Sequence, residues 1–283
     1  MTSISLKRMN GLGNVFLIYD VRRQNYNNLT VENIKLLSSK ENLETKGCDQ
    51  FIVIMPPNSD EVDIAIKIFN ADGSEVEACG NATRCIAWLF YQETCKKDNI
   101  KITTAAGLLE AKIENQHTFE VKVNMGTPQL SWQDIPLAHE VDELNLPISK
   151  GDFKNAVAVG IGNTHMVYFC DDDISQMEID EIGAEMEKHP LYPNYCNVEF
   201  ANVINDEEIN LRVFERGVGE TSACGTGACA TLVAACQKGY TRNFAKISLP
   251  GGDLKIEWDR GNSNQVFMTG KVEFEKDLKV EIA

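Results

Sequence analysis

The sequence has few basic residues. Its 27 Lys and Arg stand against 42 Asp and Glu, which gives a formal net charge of −15. A chain of this charge repels phosphate backbones and anionic lipid headgroups, which argues against nucleic-acid and membrane partners. It also lacks the run of roughly 18 apolar residues that a membrane-spanning helix needs and the apolar region of a secretion signal. We therefore expect a cytoplasmic protein.

Closely spaced cysteine pairs of the CxxC type are also missing, although cysteine itself is frequent. The nine cysteines are at positions 48, 79, 85, 95, 170, 196, 224, 229 and 236. Their odd number and wide spread argue against a disulfide scaffold. No CxxC pair or other zinc-ligand spacing occurs, so we expect no metal site. Most of these cysteines should be small buried residues.

The chain, at 283 residues, is long for one domain and contains an internal repeat. The segment IFNADGSEVEACGN at 68–81 aligns without a gap with VFERGVGETSACGT at 213–226, which matches Cys79 with Cys224. Upstream of each, GNVFLIYD resembles GNTHMVYFCD. The same two motifs in the same order predict two homologous domains. Turn residues at 124–128 are the best position for the linker.

Residue patterns around each cysteine predict a strand before it and a helix after it. Apolar and polar residues alternate over 62–68 and 209–213, as in strands with one buried face. Ala, Leu, Trp and Cys recur at helical spacing over 81–93 and 226–238, and Gly239 suits the position after a helix end. Further strands are predicted at 119–123 and 254–258, and further helices at 30–40 and 178–188.

Two cysteines at helix starts indicate acid/base chemistry. A helix N-terminus lowers the pKa of a thiol, and its unpaired N–H groups can hold a substrate carboxylate. If the two halves face each other, one thiolate can remove a proton from one face of a carbon while the other thiol protonates the opposite face. The alternative is that Cys79 and Cys224 only fill the core. We interpret Cys85, Cys229 and Cys236 in this second way.

Three other motifs bear on function. Glu215-Arg216 follows a strand, and an Arg fork suits a carboxylate. His165 is the one histidine inside a repeated motif. The Gly-Leu-Gly at 11–13 invites a dinucleotide interpretation, but its third glycine is missing and an apolar strand follows, so we discard it.

The sequence resembles the diaminopimelate epimerase family of cofactor-independent amino-acid racemases. The segments that carry the resemblance are GLGNVFLIYD, DQF, IFNADGSEVEACGN with Arg84-Cys85, GNTHMV, NYCNVEF and RVFERGVGETSACGTGACA. They span most of the chain. Two segments depart from the family pattern, since CGNATRC replaces the usual CGNGARC and GNTHMV replaces the usual GNPHCV.

The resemblance implies an isomerase that interconverts LL- and meso-2,6-diaminoheptanedioate in lysine and peptidoglycan precursor biosynthesis, without a cofactor. It implies an α/β (α+β) fold with two pseudo-symmetric domains, each a curved mixed β-sheet around a central helix, with the active site in the cleft between them. We expect domains at 1–125 and 126–270, with a strand at about 271–283 returning to the first domain. A small-molecule substrate and a homodimer are further expectations.

The resemblance also implies the site residues. Cys79 and Cys224 are the acid/base thiols, and His165 and Glu215 adjust their proton affinity. The implied substrate-binding residues are Asn14, Gln50, Asn70, Gly80, Asn81, Asn163, Asn197, Glu215, Arg216, Gly225 and Thr226.

Three other functions stay open at this point. A proline or hydroxyproline racemase would share the opposed cysteines but would not need to bind a second amino-acid end. A catalytically silent, isomerase-like binding protein would keep only the fold. A redox sensor would use Cys79 and Cys224 as a switch.

Overall fold

A computed structural model describes residues 2–22, 29–94, 97–151 and 153–282. Cys95 lies outside these residues. The chain divides into two compact units. Unit 1 comprises Met1–Val123 and Gly270–Ala283, and unit 2 comprises Asn124–Thr269.

Most elements follow one another in the same order in the two units. The first unit holds β1 (Thr2–Gly11), β2 (Asn14–Asp20), α1 (Val31–Ser38), β3 (Gln50–Met55), β4 (Ile64–Asn70), β5 (Glu75–Val76), α2 (Gly80–Glu93), β6 (Asn99–Thr104), β7 (Gly107–Asn115), β8 (Glu120–Asn124) and, at the C-terminus, β19 (Glu273–Ile282). The second holds β9 (Ser149–Lys150), β10 (Phe153–Lys154), β11 (Val157–Gly160), β12 (Thr164–Phe169), a 3₁₀ turn (Ile174–Gln176), α3 (Ile179–Met186), β13 (Asn197–Asn205), β14 (Glu208–Glu215), β15 (Gly219–Thr221), α4 (Gly225–Gln237), β16 (Phe244–Leu249), β17 (Gly252–Trp258) and β18 (Val266–Lys271), whose last two residues belong to unit 1.

The sheet of unit 1 is mixed. Strand β1 pairs antiparallel with β19 and β2, whereas β2–β3 and β4–β6 are parallel pairs. The pairs β3–β4, β4–β5, β6–β7 and β7–β8 are antiparallel. A parallel pair needs a crossover connection. Helix α1 lies in the first crossover and α2 in the second, so the chain enters α2 directly after the β4–β5 hairpin.

The sheet of unit 2 has the same pattern. Strands β12–β13 and β14–β16 are the parallel pairs, with α3 and α4 in their crossovers. The pairs β11–β12, β13–β14, β14–β15, β16–β17 and β17–β18 are antiparallel. Each unit therefore repeats one topology, in which the cysteine motif joins a short hairpin to a crossover helix.

The two cysteine-bearing helices are the buried centres of their units. Helix α2 packs against β1, β6 and β7, and α4 packs against β11, β12, β13, β16 and β17. Every residue of α4 from Gly227 to Cys236 is buried. A helix that is apolar or small on all sides belongs in a core. The predicted mixed α/β class and the two helices after the cysteines are confirmed.

Differences from the predictions are confined to element ends. Phe119 is not in a strand, because its positive φ of 58° places it in the turn before β8. The strand predicted at 62–68 runs from Ile64 to Asn70. Gly239 has a φ of 74° directly after the helix-capping Lys238, as predicted. Cys85, Cys229 and Cys236 are buried in helices, which confirms their packing role.

Candidate active site

Cys79 is the N-cap residue of α2 and is half-buried. Its backbone is extended, and its carbonyl accepts hydrogen bonds from the Thr83 amide and the Thr83 hydroxyl, both at 2.9 Å. Thr83 is one of the two residues that depart from the family pattern in this motif, and its hydroxyl reinforces the first turn. Gly80 and Asn81, the first two helical residues, follow directly.

Side-chain amides surround this end of unit 1. Asn81 Nδ2 donates to Asn14 Oδ1 at 2.5 Å. Gln50 and Asn70 lie opposite each other on β3 and β4, and their side chains are 3.5 Å apart. Asn81 Oδ1 and Gln50 Oε1 are buried and have no hydrogen-bond partner within the described part of the chain. Buried acceptors without partners are costly, which makes both oxygens candidates for binding an N–H group of a ligand.

Cys224 is the N-cap residue of α4 and is only 6% exposed. Its Sγ accepts a hydrogen bond from the Gly227 amide at 3.4 Å and lies 3.5 Å from Thr226 Oγ1. The sulfur therefore caps the helix that it precedes. Gly225 and Thr226 are the first helical residues, at the positions that Gly80 and Asn81 occupy in unit 1.

The pKa of Cys224 is raised well above the ordinary value of a thiol. Burial is the largest cause, and the nearby charge of Glu215 raises the pKa further, while contacts from Thr226 and Gly227 lower it. The sequence-based expectation of a lowered pKa at this helix start is wrong for Cys224, because desolvation of the thiolate outweighs the helix terminus. The shift favours the neutral thiol of Cys224.

His165 and Asn163 lie beside this cysteine. His165 is completely buried, with Nδ1 2.6 Å from Glu199 Oε1 and Nε2 2.7 Å from Asn163 Oδ1. Asn163 Nδ2 in turn donates to Thr226 Oγ1 at 3.4 Å. The structure therefore brings His165, Asn163, Thr226 and Cys224 together.

Glu215, the last residue of β14, is also close to Cys224. Its Oε1 accepts a hydrogen bond from the Thr221 hydroxyl at 2.5 Å. Burial raises the pKa of this carboxyl, although hydrogen bonds from Thr221 and Cys224 oppose the shift. Two neighbouring acids, Glu215 and Cys224, are both shifted towards their neutral forms.

Arg216, directly after Glu215, has an exposed side chain. Its backbone N–H donates to Asn197 Oδ1 at 2.9 Å, and its guanidinium donates to the Asn194 carbonyl at 3.0 Å. Asn197 is buried and donates to the Thr164 carbonyl at 3.4 Å. Thr164, a further departure from the family pattern, donates its hydroxyl to the Tyr195 carbonyl at 2.7 Å.

Glu199 is the residue that the sequence analysis missed. It is completely buried in β13 between Val198 and Phe200, and it contacts His165 directly. A charged residue in an apolar strand was a usable signal, because buried carboxylates are rare unless paired. It was overlooked because it stands outside both repeated motifs.

Two kinds of feature are absent from the described residues. No three His, Cys, Asp or Glu side chains cluster as metal ligands within residues 2–22, 29–94, 97–151 and 153–282. Over the same ranges, none of the helices has the length and apolar character needed to cross a bilayer.

Known proteins resemble this chain over nearly its whole length. The family model described as "Diaminopimelate epimerase" matches residues 7–131 and 157–275. The diaminopimelate epimerase of Wolbachia sp. subsp. Brugia malayi is 43% identical over 277 residues, covering 97% of this chain and 100% of that protein. That of Rhodospirillum centenum is 41% identical over 265 residues, covering 94% of this chain and 88% of that protein.

Solved structures share the fold at low sequence identity. A PhzF-family phenazine biosynthesis protein from Enterococcus faecalis has a TM-score of 0.72 at 13% identity, covering 99% of this chain and 100% of that one. A hydroxyproline epimerase from Agrobacterium vitis, solved with bound trans-4-hydroxy-L-proline, has a TM-score of 0.67 at 15% identity, covering 98% of this chain and 92% of that one. These structures show the fold, whereas the family model and the relatives above show that the chain belongs to the diaminopimelate epimerase family and is an epimerase.

Proposed function

We propose that the chain interconverts LL- and meso-diaminopimelate by moving a Cα proton between Cys79 and Cys224. The observation that carries this proposal is the equivalent position of the two thiols. Each one is the N-cap residue of the central crossover helix of its unit, after the same short hairpin. Inversion at one carbon needs two groups that act on opposite faces, and a duplicated domain supplies two of the same kind.

The proton transfer needs one thiolate and one thiol. Cys79 Sγ, as thiolate, takes the Cα proton, and the electron pair stays on the carbon. That carbon then takes the proton of Cys224 Sγ from the other face, which leaves Cys224 as the thiolate. The raised pKa of Cys224 supports its assignment as the group that holds a proton before the reaction in this direction. The reverse reaction exchanges the two roles.

The surrounding groups suit a substrate with two amino-acid ends. N–H groups in the first turns of α2 and α4 can bind the carboxylate at the reacting carbon. Asn81 Oδ1 and Gln50 Oε1 can accept hydrogen bonds from an ammonium group. The exposed Arg216 guanidinium can bind the second carboxylate, which a proline-type substrate does not have.

The proposed binding set is therefore the one that the family resemblance implies, with His165 and Glu215 acting on the thiols. We further propose that no cofactor takes part. The two predicted domains, the active site in the cleft between them, the cytoplasmic location and the homodimer stay predictions.

The test is Cα exchange in deuterated water with LL-diaminopimelate and, separately, L-proline. We expect exchange and epimerisation of the first substrate only. Cys79→Ala and Cys224→Ala should each lower turnover by at least about 10³-fold, since a positioned acid/base group contributes about 10²–10⁴-fold.

Each variant has a matched control in the same helix. Cys85→Ala and Cys229→Ala remove thiols that are fully buried in α2 and α4, so they should reduce stability and leave turnover near that of the unchanged chain. Normal turnover in either catalytic variant would refute the two-thiol mechanism. Exchange of proline would favour the racemase, and exchange of neither substrate would favour the silent binding protein.

A further inference from the structure

A buried carboxylate lies behind the histidine of unit 2. Glu199 and His165 both have 0% side-chain exposure, and Glu199 Oε1 is 2.6 Å from His165 Nδ1. They lie on the parallel neighbours β13 and β12, where Glu199 is opposite Val167. Burying a carboxylate costs several kcal/mol unless a cation or several hydrogen bonds compensate for it. The pair therefore needs an account beyond packing.

His165 is the contact that compensates for this charge. Glu199 Oε2 is buried and has no hydrogen-bond partner within the described ranges. Gly227, in the first turn of α4, leaves room for the carboxylate, because a Cβ there would lie 3.0 Å from Glu199 Oε1. The carboxylate is thus held between the imidazole and the helix that Cys224 caps.

From His165, hydrogen-bonding contacts continue to the sulfur. Nε2 is 2.7 Å from Asn163 Oδ1, Asn163 Nδ2 is 3.4 Å from Thr226 Oγ1, and that hydroxyl is 3.5 Å from Cys224 Sγ. An amide oxygen only accepts hydrogen bonds, so Nε2 must donate to Asn163. If Glu199 is ionised it only accepts hydrogen bonds, so Nδ1 donates as well. In that arrangement both ring nitrogens carry hydrogen.

We propose that Glu199 is a positioning residue that holds His165 in its cationic form, with both N–H groups directed along this series of contacts. This inference rests on the proposed role of Cys224. When Cys224 loses its proton, the sulfur becomes an anion in a buried site that already contains Glu215. A cationic His165, separated from the sulfur by Asn163 and Thr226, stabilises that thiolate, because charges interact strongly where water is excluded.

The first measurement is nitrogen-15 NMR of the histidine rings, with the His165 signals identified by their loss in His165→Gln. In the unchanged chain we expect both His165 nitrogens to be protonated near neutral pH. In Glu199→Gln we expect one of them to lose its hydrogen. Glu143→Gln is the matched control, since Glu143 accepts from the Trp132 amide elsewhere in unit 2 and should leave the His165 signals unchanged.

The second measurement is a kinetic cycle with diaminopimelate. Glu199→Gln should lower kcat by about 10- to 100-fold, the loss typical when an outer carboxylate that orients a metal-bound histidine is removed, with little change in KM. When Glu199→Gln is added to the His165→Gln variant, kcat should not fall further. Additive losses would mean that Glu199 acts independently of His165 and would overturn the proposal.

The two measurements separate this inference from the function. A ring with one hydrogen in the unchanged chain would overturn the role of Glu199 even if epimerisation is normal, and this test does not require Glu199→Gln to fold. Absence of exchange with every substrate would refute the proposed function, whereas a doubly protonated His165 that responds to Glu199→Gln would still support the positioning role.

Discussion

Glu215 and Cys224 illustrate a conflict, at single residues, between burial and the acid/base roles proposed for them. Both are acids whose pKa values are raised because their charged forms lose hydration. A buried acid of this kind destabilises the fold once it ionises, yet it is available to exchange a proton with a substrate. Sites that are costly for stability and useful for chemistry are common in enzymes.

We expect Glu215→Gln to stabilise the chain at neutral pH and to lower turnover by about 10²-fold. The pKa of the Glu215 carboxyl is higher in the folded chain than in the unfolded chain. The carboxyl therefore contributes its full stability below its unfolded-state pKa, and this stability is lost as the pH rises through its folded-state pKa. Removing the carboxyl should therefore raise the free energy of unfolding near pH 7 and have less effect near pH 4. Urea unfolding at the two pH values, with turnover, measures this.

Glu220→Gln is the control for that prediction. Glu220 is partly exposed and pairs with Arg212 at 2.7 Å, so its loss should change stability by less than about 1 kcal/mol and should not raise it at pH 7. If Glu215→Gln is less stable than the unchanged chain near pH 7, burial of the ionised carboxyl is not the dominant effect.

At the scale of elements, the packing of α3 on β14 depends on a helical glycine. A Cβ on Gly183 would lie 2.4 Å from Phe214 Cγ, so only a residue without a side chain allows the helix to approach this closely. Phe214 directly precedes Glu215, and the contact therefore supports the strand end that carries the site.

Gly183→Ala should destabilise unit 2 by about 1–3 kcal/mol through overpacking, although alanine is normally the better helix former by about 1 kcal/mol. The midpoint of urea unfolding measures the change. The control is Ala184→Gly at the neighbouring exposed position of α3, which should lose only the intrinsic helix preference. A stability gain for Gly183→Ala would show that Phe214 can move away without cost.

At the scale of the whole molecule, the C-terminal strand completes unit 1. Strand β19 pairs with β1 from Thr2 opposite Ile282 to Asn10 opposite Glu273. Val280 and Ile282 are buried in the same apolar cluster as Leu6 and Leu17. The last residues of the chain therefore belong to the core of its first unit.

Deleting residues 272–283 should unfold unit 1 and leave more protection in unit 2. Hydrogen exchange followed by peptide analysis would measure this as rapid exchange over β1–β3 with slower exchange over β12–β14. Lys279→Ala, an exposed change on β19 that keeps the strand, is the control and should keep both units protected. Equal loss of protection in both units would mean that they unfold together.

The elements around the cysteines were predictable because their signals are local and occur twice. Strand alternation, a Cys-Gly pair and a helical run recur at the same spacing, and the resemblance is confirmed by the family model and relatives. Turn residues predicted a linker at 124–128, and the second compact unit begins at Asn124. Element ends such as Phe119 were less predictable, since a single positive φ decides them.

The amino-acid sequence alone was enough to assign the family, the mixed α/β class and the two candidate thiols, because motif identity and periodicity are properties of neighbouring residues. The proton affinity of Cys224 depended on three-dimensional burial, which reversed the effect expected from its helix position. The contact between Glu199 and His165 likewise depends on the fold. The two residues are 34 positions apart in sequence and meet because β12 and β13 pair as parallel strands. Desolvation and pairing across a sheet are properties of the folded chain, and no local pattern contains them.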